Sequence, residues 1–360
     1  MLIADLVRLN QQFTFCWCLM QCENHVQKNV QKQVLIMVSY KGKNMKYFLI
    51  TLLAVFLCVS VNNAQKRAKA KPEKTKITTT HSNKIDGITT VDDVVQFLKT
   101  LDPVYETFKV NTSLTFSERD IQALSKSLKA KAWVKADLDG NGYTDLLVIG
   151  SLNKVAVVLC VLDSGSNRFA VKQLPGKAGE NCLFAIVKTE KGQPQITAYS
   201  IEAKKERSGK LARNPVKSVL CFQAGELIEY NQSPINHSIE KIEYSTTPCY
   251  GRCPVFSLVI NADRSASLDA GKFNAKKGIF KATIDDESYK ALITLLNYTN
   301  FTKLDSSYRV LRTDAQSCTL FITYDCGKVK RISDYGLKGT LGLVKVYDML
   351  FKLRESQKWE

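Results

Sequence analysis

The pattern of apolar residues predicts an α+β protein of two domains, each an antiparallel sheet with helices packed on one face. Two stretches near residues 90 and 115 carry helix-capping signals followed by apolar residues at helical spacing. The middle of the chain is instead a series of short apolar runs separated by Gly-, Asn- and Lys-rich turns, the mark of strands joined by hairpins. No crossover helix falls between those runs, so neighbouring strands should pair antiparallel. Residues 85–360 span 276 positions, enough for two domains of about 100–150 residues each. The polar stretch Tyr230–His237, broken by Pro234, places the boundary between a domain at 85–230 and another at 238–357.

Thr90-x-x-Asp93 is a capping box ahead of Val94, Val95, Phe97 and Leu98, and Thr115-x-x-Glu118 repeats it before Ile121, Leu124 and Leu128. Strands are then expected at Trp133–Ala136, Asp145–Ile149, Val155–Asp163, Phe169–Leu174, Leu183–Thr189, Gln195–Glu202 and Lys217–Gln223. Ser164–Asn167 and Glu190–Gln193 have hairpin-turn composition. In the second half, Val255–Asn261 and Ser265–Asp269 flank a turn at Ala262–Arg264, and Gly278–Thr283 leads into a helix at Asp285–Leu296. Thr319–Tyr324 and Lys328–Ser333 flank Asp325-Cys326-Gly327, and a last helix covers Leu341–Leu353. The apolar stripes of these helices read as core.

Ahead of this lies Met45–Gln65, with an almost unbroken apolar run of 15 residues, Tyr47–Val61, behind Lys41, Lys43 and Lys46. A basic flank, a short apolar stretch and small polar residues at its end describe a secretory signal peptide at 45–64, cut after Ala64. A spanning helix needs about 20 apolar residues, so an anchor formed by uncleaved residues 47–61 is the alternative. Signal peptides begin a chain, so residues 1–44 read as an upstream extension and Met45 as the true start. A long cytoplasmic segment is the alternative. Residues 65–84 carry seven basic residues and one acid, and read as a basic disordered linker. The chain as a whole has 51 basic and 34 acidic residues, but 85–360 has only 38 against 31, so much of the excess lies outside the folded part. No basic stripe interleaved with aromatics appears there, and no specific nucleic-acid partner is expected.

One loop has the donor pattern of a metal site: Asp137-Leu-Asp139-Gly-Asn141-Gly-Tyr143-Thr-Asp145. Oxygen ligands at positions 1, 3 and 5, a carbonyl at 7 and a carboxylate at 9 suit a hard cation taking six to eight oxygens. Position 12 is Val148 rather than Glu, and the flanks read as strands, which excludes an EF-hand. The loop resembles the strand-flanked calcium loops of FG-GAP and VCBS-type repeats. The resemblance covers about 15 residues and implies a structural calcium held by Asp137, Asp139, Asn141, the Tyr143 carbonyl and Asp145. Those families set several copies around a propeller; this chain has one, so the propeller is not implied. An Asp/Gly/Asn turn without an ion is the simpler alternative.

The second candidate is Cys249-Tyr-Gly-Arg-Cys253-Pro254. Export makes disulfides possible, and seven of the 11 cysteines follow residue 64. A close pair there reads as a disulfide closing a loop, with a redox-active pair or metal ligation as alternatives. Cys160, Cys182 and Cys221 lie in or beside apolar strands and read as buried thiols, and Cys318–Cys326 is a second possible bridge. The Cys249 loop, the strand after it, Phe301, Tyr308, Thr313-Asp314 and the run at 328–335 together resemble an uncharacterised domain family of exported bacterial proteins with a C-x-G-x-C-P motif, over about residues 238–357. That resemblance implies a small α+β domain and an envelope setting, and brings no catalytic residue.

Only His81 and His237 follow the signal segment, in the linker and the domain boundary, so a Ser-His-Asp or Cys-His arrangement lacks a base. No P-loop or dinucleotide fingerprint is present. The acids Asp285-Asp286-Glu287 sit where a helix N-terminus favours them. The expected protein is therefore exported, periplasmic or extracellular, and a non-catalytic binding module for an unidentified envelope or extracellular ligand. Its only membrane contact would be transient, through the signal peptide. A carboxylate-based hydrolase, or a thiol oxidoreductase using Cys249 and Cys253, is the competing class.

Overall fold

The structure is a computed structural model that describes residues 83–360 apart from 177–179, 191, 206–210 and 224. The chain divides into Met1–Ile77 and Thr78–Glu360, and every described residue belongs to the second unit. The expected extension at 1–44, the signal peptide at 45–64 and all of the linker except Asn83 and Lys84 lie outside the described residues. Among the described residues no helix is long and apolar enough to cross a membrane.

The described fold is mostly sheet. Helix α1 (Val91–Leu101) begins as expected: Thr90 Oγ1 accepts from the Asp93 amide, and the Asp93 carboxylate accepts from the Thr90 amide at 2.8 Å. The second capping box does not form. Helix α2 (Arg119–Ser127) starts after Glu118, which makes no capping bond. Thr115 hydrogen-bonds Ser113, and the Glu118 carboxylate is taken by Ser117 and Arg213 instead.

Strands β1 (Lys109–Val110), β2 (Trp133–Ala136), β3 (Asp145–Leu152), β4 (Val155–Asp163) and β5 (Phe169–Gln173) form a five-stranded antiparallel sheet. The first six residues of β3 are all buried, which an alternating half-exposed strand cannot be. One set, Leu146, Val148, Val157, Leu159 and Val161, packs with Val94, Phe97 and Leu98 of α1. The alternate set, Leu147, Ile149, Val158, Cys160 and Leu162, packs with Ile121 of α2 and with a second sheet. That sheet is β6 (Phe184–Glu190), β7 (Gln193–Lys205), β8 (Leu211–Gln223) and β9 (Glu226–Glu229), paired in chain order. The expectation of helices on one face of one meander is corrected here. The continuous apolar runs of β3 and β4 need cover on both sides, so the helices lie on opposite faces of their sheet.

The remaining strands follow the expected plan more closely. Strands β10 (Ile239–Thr246), β11 (Phe256–Asn261), β12 (Ser265–Ala270), β13 (Gly278–Thr283), β14 (Ser307–Arg309), β15 (Ser317–Tyr324) and β16 (Lys328–Tyr335) form a seven-stranded sheet in the order β13-β12-β11-β10-β15-β16-β14. Burial alternates along β11 and β15, and one face is covered by α3 (Asp286–Tyr298) and α4 (Leu341–Ser356). The sheet is antiparallel except at β14, a short edge strand parallel to β16. Asp285 caps α3 by accepting from the Ser288 amide, which accounts for the acidic run there.

Residues before and after 238 share a core. Cys221 of β8 and Ile228 of β9 are buried in the same apolar cluster as α3 and α4. The Glu229 carboxylate receives the Leu341 amide at 2.7 Å and the Gly342 amide at 3.0 Å, so a residue from β9 caps the N-terminus of α4. Glu229→Ala is expected to lower stability by about 1–2 kcal/mol, and Glu229→Gln by less, in urea denaturation. Equal midpoints for all three proteins would remove the cap from the account.

Candidate metal centre

Residues 137–144 are the hairpin loop between β2 and β3, whose register closes at Ala136↔Asp145. The loop curls because Gly140 (φ 77°) and Gly142 (φ 88°) adopt the left-handed region, where a side chain is strained. Asp137 organises the turn: Oδ1 accepts from the Gly140 amide at 2.7 Å and the Asn141 amide at 3.1 Å, and Oδ2 from the Gly142 amide at 2.9 Å. Asp139 Oδ1 accepts from the Asn141 amide, and its Oδ2 from the Asn141 side chain. Asn141 Oδ1 in turn accepts from the Tyr143 amide.

Asp145 begins β3 and is fully buried. Its Oδ2 accepts from the Leu138 amide at 2.7 Å and its Oδ1 from the Asp163 amide at 2.8 Å. Oxygen atoms of Asp137, Asp139 and Asp145 all lie within 4.8 Å of one another. Burial pushes the Asp145 carboxyl up to about 7, against the two amide hydrogen bonds, with the neighbouring Asp139 and Asp137 charges adding to the rise. Burial likewise raises Asp139. Among the described residues no lysine or arginine forms an ion pair with any of the three carboxylates. Three of the five sequence-derived ligands thus converge, and Asn141 and Tyr143 lie in the same loop, with the Asn141 amide committed to Asp139 and to the Asp163 carbonyl at 2.8 Å.

Asp163 is the residue that sequence reading missed. It ends β4, is fully buried, and accepts the Gly165 amide through Oδ1, while Oδ2 has no hydrogen-bond partner. Through its backbone it holds both Asn141 and Asp145, fastening the loop to the neighbouring hairpin. Its one sequence signal is a carboxylate closing an apolar strand just before Ser-Gly-Ser-Asn.

The cysteines divide by position. Cys249 and Cys253 form a disulfide. The loop is tied down by Thr246, whose hydroxyl donates to the Pro254 carbonyl, and by Gln316, whose amide donates to the carbonyls of Thr247 and Pro254. Cys160, Cys182 and Cys221 are buried as expected, and burial pushes Cys182 up to about 12. The bridge between Cys318 and Cys326 is not made: Cys318 is buried beside Tyr244 and Tyr347, whereas Cys326 is exposed in the β15–β16 turn. His237 is not a bare linker residue. Its Nδ1 lies 2.6 Å from Asp325 Oδ2, its ring packs edge-on against Phe301 and Tyr324, and its Nε2 is buried without a partner.

These features define a sheet-rich α+β protein with a carboxylate loop in its first half and a disulfide-closed loop in its second. Residues 240–354 match a domain of unknown function, DUF6438. No curated protein matches the chain, and no solved structure does.

Proposed function

We propose that this is an exported, non-catalytic binding protein of the bacterial envelope whose 137–145 loop holds a structural calcium ion. The observation that carries the calcium reading is the convergence of three carboxylates within 4.8 Å, none of them in an ion pair with a basic side chain among the described residues. Two of the three are pushed upward by burial, so a divalent cation supplies the missing counter-charge. The all-oxygen donor set suits calcium, and Asp137, Asp139, Asp145, Asn141 and the Tyr143 carbonyl are the residues that would hold it. The spacing also supports the likeness to FG-GAP and VCBS-type loops. The ion would fix the β2–β3 hairpin and, through Asp163, the end of β4.

The binding reading is supported by the state of the groups that a catalyst would use. His237 is enclosed between two rings and paired to Asp325, with no nucleophile among its hydrogen-bond partners in the described residues. Among the described residues the Cys249–Cys253 sulfurs bond no histidine or lysine, the partner that lowers a thiol pKa in redox-active pairs. A thermal melt of the chain with excess calcium, then with chelator, tests the ion. At a hundredfold excess over its dissociation constant the ion should stabilise the fold by about 2.7 kcal/mol, and Asp139→Ala should abolish the shift. Identical melts in calcium and chelator would reduce the loop to a turn.

A further inference from the structure

The two most exposed large apolar residues described are Leu311, at 98%, and Tyr250, at 92%. They lie on adjoining loops, because the Tyr250 amide donates to the Asp314 carbonyl at 3.2 Å. Between these loops is a depression of about 570 Å³ whose lining includes the Cys249–Cys253 disulfide, Tyr250, Arg312 and Leu337. Its lining includes one exposed cation, Arg312, and one exposed carboxylate, Asp314. Three more exposed cations, Arg252, Arg309 and Lys338, lie in the chain segments beside the lining residues Cys253, Arg312 and Leu337. None of the four side chains makes an ion pair or hydrogen bond among the described residues, although eleven ion pairs form elsewhere.

Tyr and Arg are enriched among the residues that dominate protein-binding hot spots, and here an exposed Tyr and Leu lie beside arginines free to pair with a partner's carboxylates. The disulfide and the Gln316 bonds hold the Tyr250 loop in place before any partner arrives, which lowers the ordering cost of binding. We infer that the 249–254 and 310–315 loops form a protein-docking site for an acidic segment that carries apolar side chains. Carboxylates of the partner pair with Arg252, Arg312, Arg309 and Lys338, and its apolar side chains pack on Tyr250 and Leu311. This deepens the binding-module reading and rests on it.

The test uses the full chain and a fluorescein-labelled peptide of alternating Glu and Leu, with a Lys–Leu peptide and heparin as controls. The Glu–Leu peptide should give a saturable rise in anisotropy that weakens as salt is raised. Affinity should fall about tenfold or more in Arg252→Glu/Arg312→Glu and again in Tyr250→Ser/Leu311→Ser. Ile279→Ser, another exposed apolar position, should leave it unchanged. All of these positions are exposed, so the variants should fold. Equal affinity in the loop variants, equal binding of the Lys–Leu peptide, or full competition by heparin without any effect of Tyr250→Ser/Leu311→Ser would overturn the site. Recovery of the peptide cleaved would instead overturn the non-catalytic reading itself, and its mass after incubation separates the two failures.

Discussion

Asp145→Ala is expected to destabilise the ion-free protein by roughly 2–6 kcal/mol, because it strips the buried amides of Leu138 and Asp163 of their acceptor at once. Asp145→Asn keeps one acceptor oxygen and should fall between wild type and alanine. The same residue sets a pH dependence whose sign follows from burial. Its folded pKa, about 7, lies above the ordinary 3.8, so between these values the folded state keeps a proton that the unfolded state has released. Ion-free stability from this group therefore falls as pH rises through that window and is level above it. Calcium favours the ionised form and should remove the fall. Urea midpoints in chelator at about pH 5 and about pH 7.5, taken as the difference between wild type and Asp145→Ala, measure it directly. A difference that grows with pH in chelator would contradict the buried, proton-holding carboxyl.

The second large effect concerns the boundary at 238. A fragment of residues 238–360 should be marginal on its own, although it contains the whole seven-stranded sheet and both of its helices. Cutting there removes Ile228 and Cys221 from the core that α3 and α4 complete. It also removes the Glu229 cap on α4, and the Asn231 bonds to the Tyr298 hydroxyl and carbonyl. The loss is on the order of 5 kcal/mol, comparable to the whole stability of many domains. Circular dichroism of the fragment should show a broadened, low-temperature melt beside the intact chain. A cooperative melt at the intact chain's temperature would make 238–357 a separate domain in the full sense.

Local chemistry made much of this fold legible. The Thr90–Asp93 box, the Asp285 cap and the Asp325-Cys326-Gly327 turn are decided within a few residues, and each forms where the sequence places it. The edge strands β1, β9 and β14 have two to four residues, too few for a pattern that the sequence makes legible. The second capping box failed for a related reason. Glu118 has a longer-range partner in Arg213, 95 residues away, which no local rule weighs. The layering of the first half is also not set by alternation, which says which residues share a face but not how many faces are covered. The unbroken runs of β3 and β4 were the available sign.

By itself the sequence determined the order of the longer strands and helices, the carboxylate loop with its left-handed glycines, and a cysteine pair close enough to close a loop. All three are short-range properties, set by φ preference, side-chain spacing and a few neighbouring hydrogen bonds. Only the tertiary structure decided which distant groups meet. It brought Asp163 to the loop 18 residues before it, paired His237 with Asp325 across 88 residues, and set Glu229 on the helix that begins at Leu341. Such contacts follow from how buried faces are covered, and that is settled by the packing of whole sheets and helices rather than by any stretch of chain.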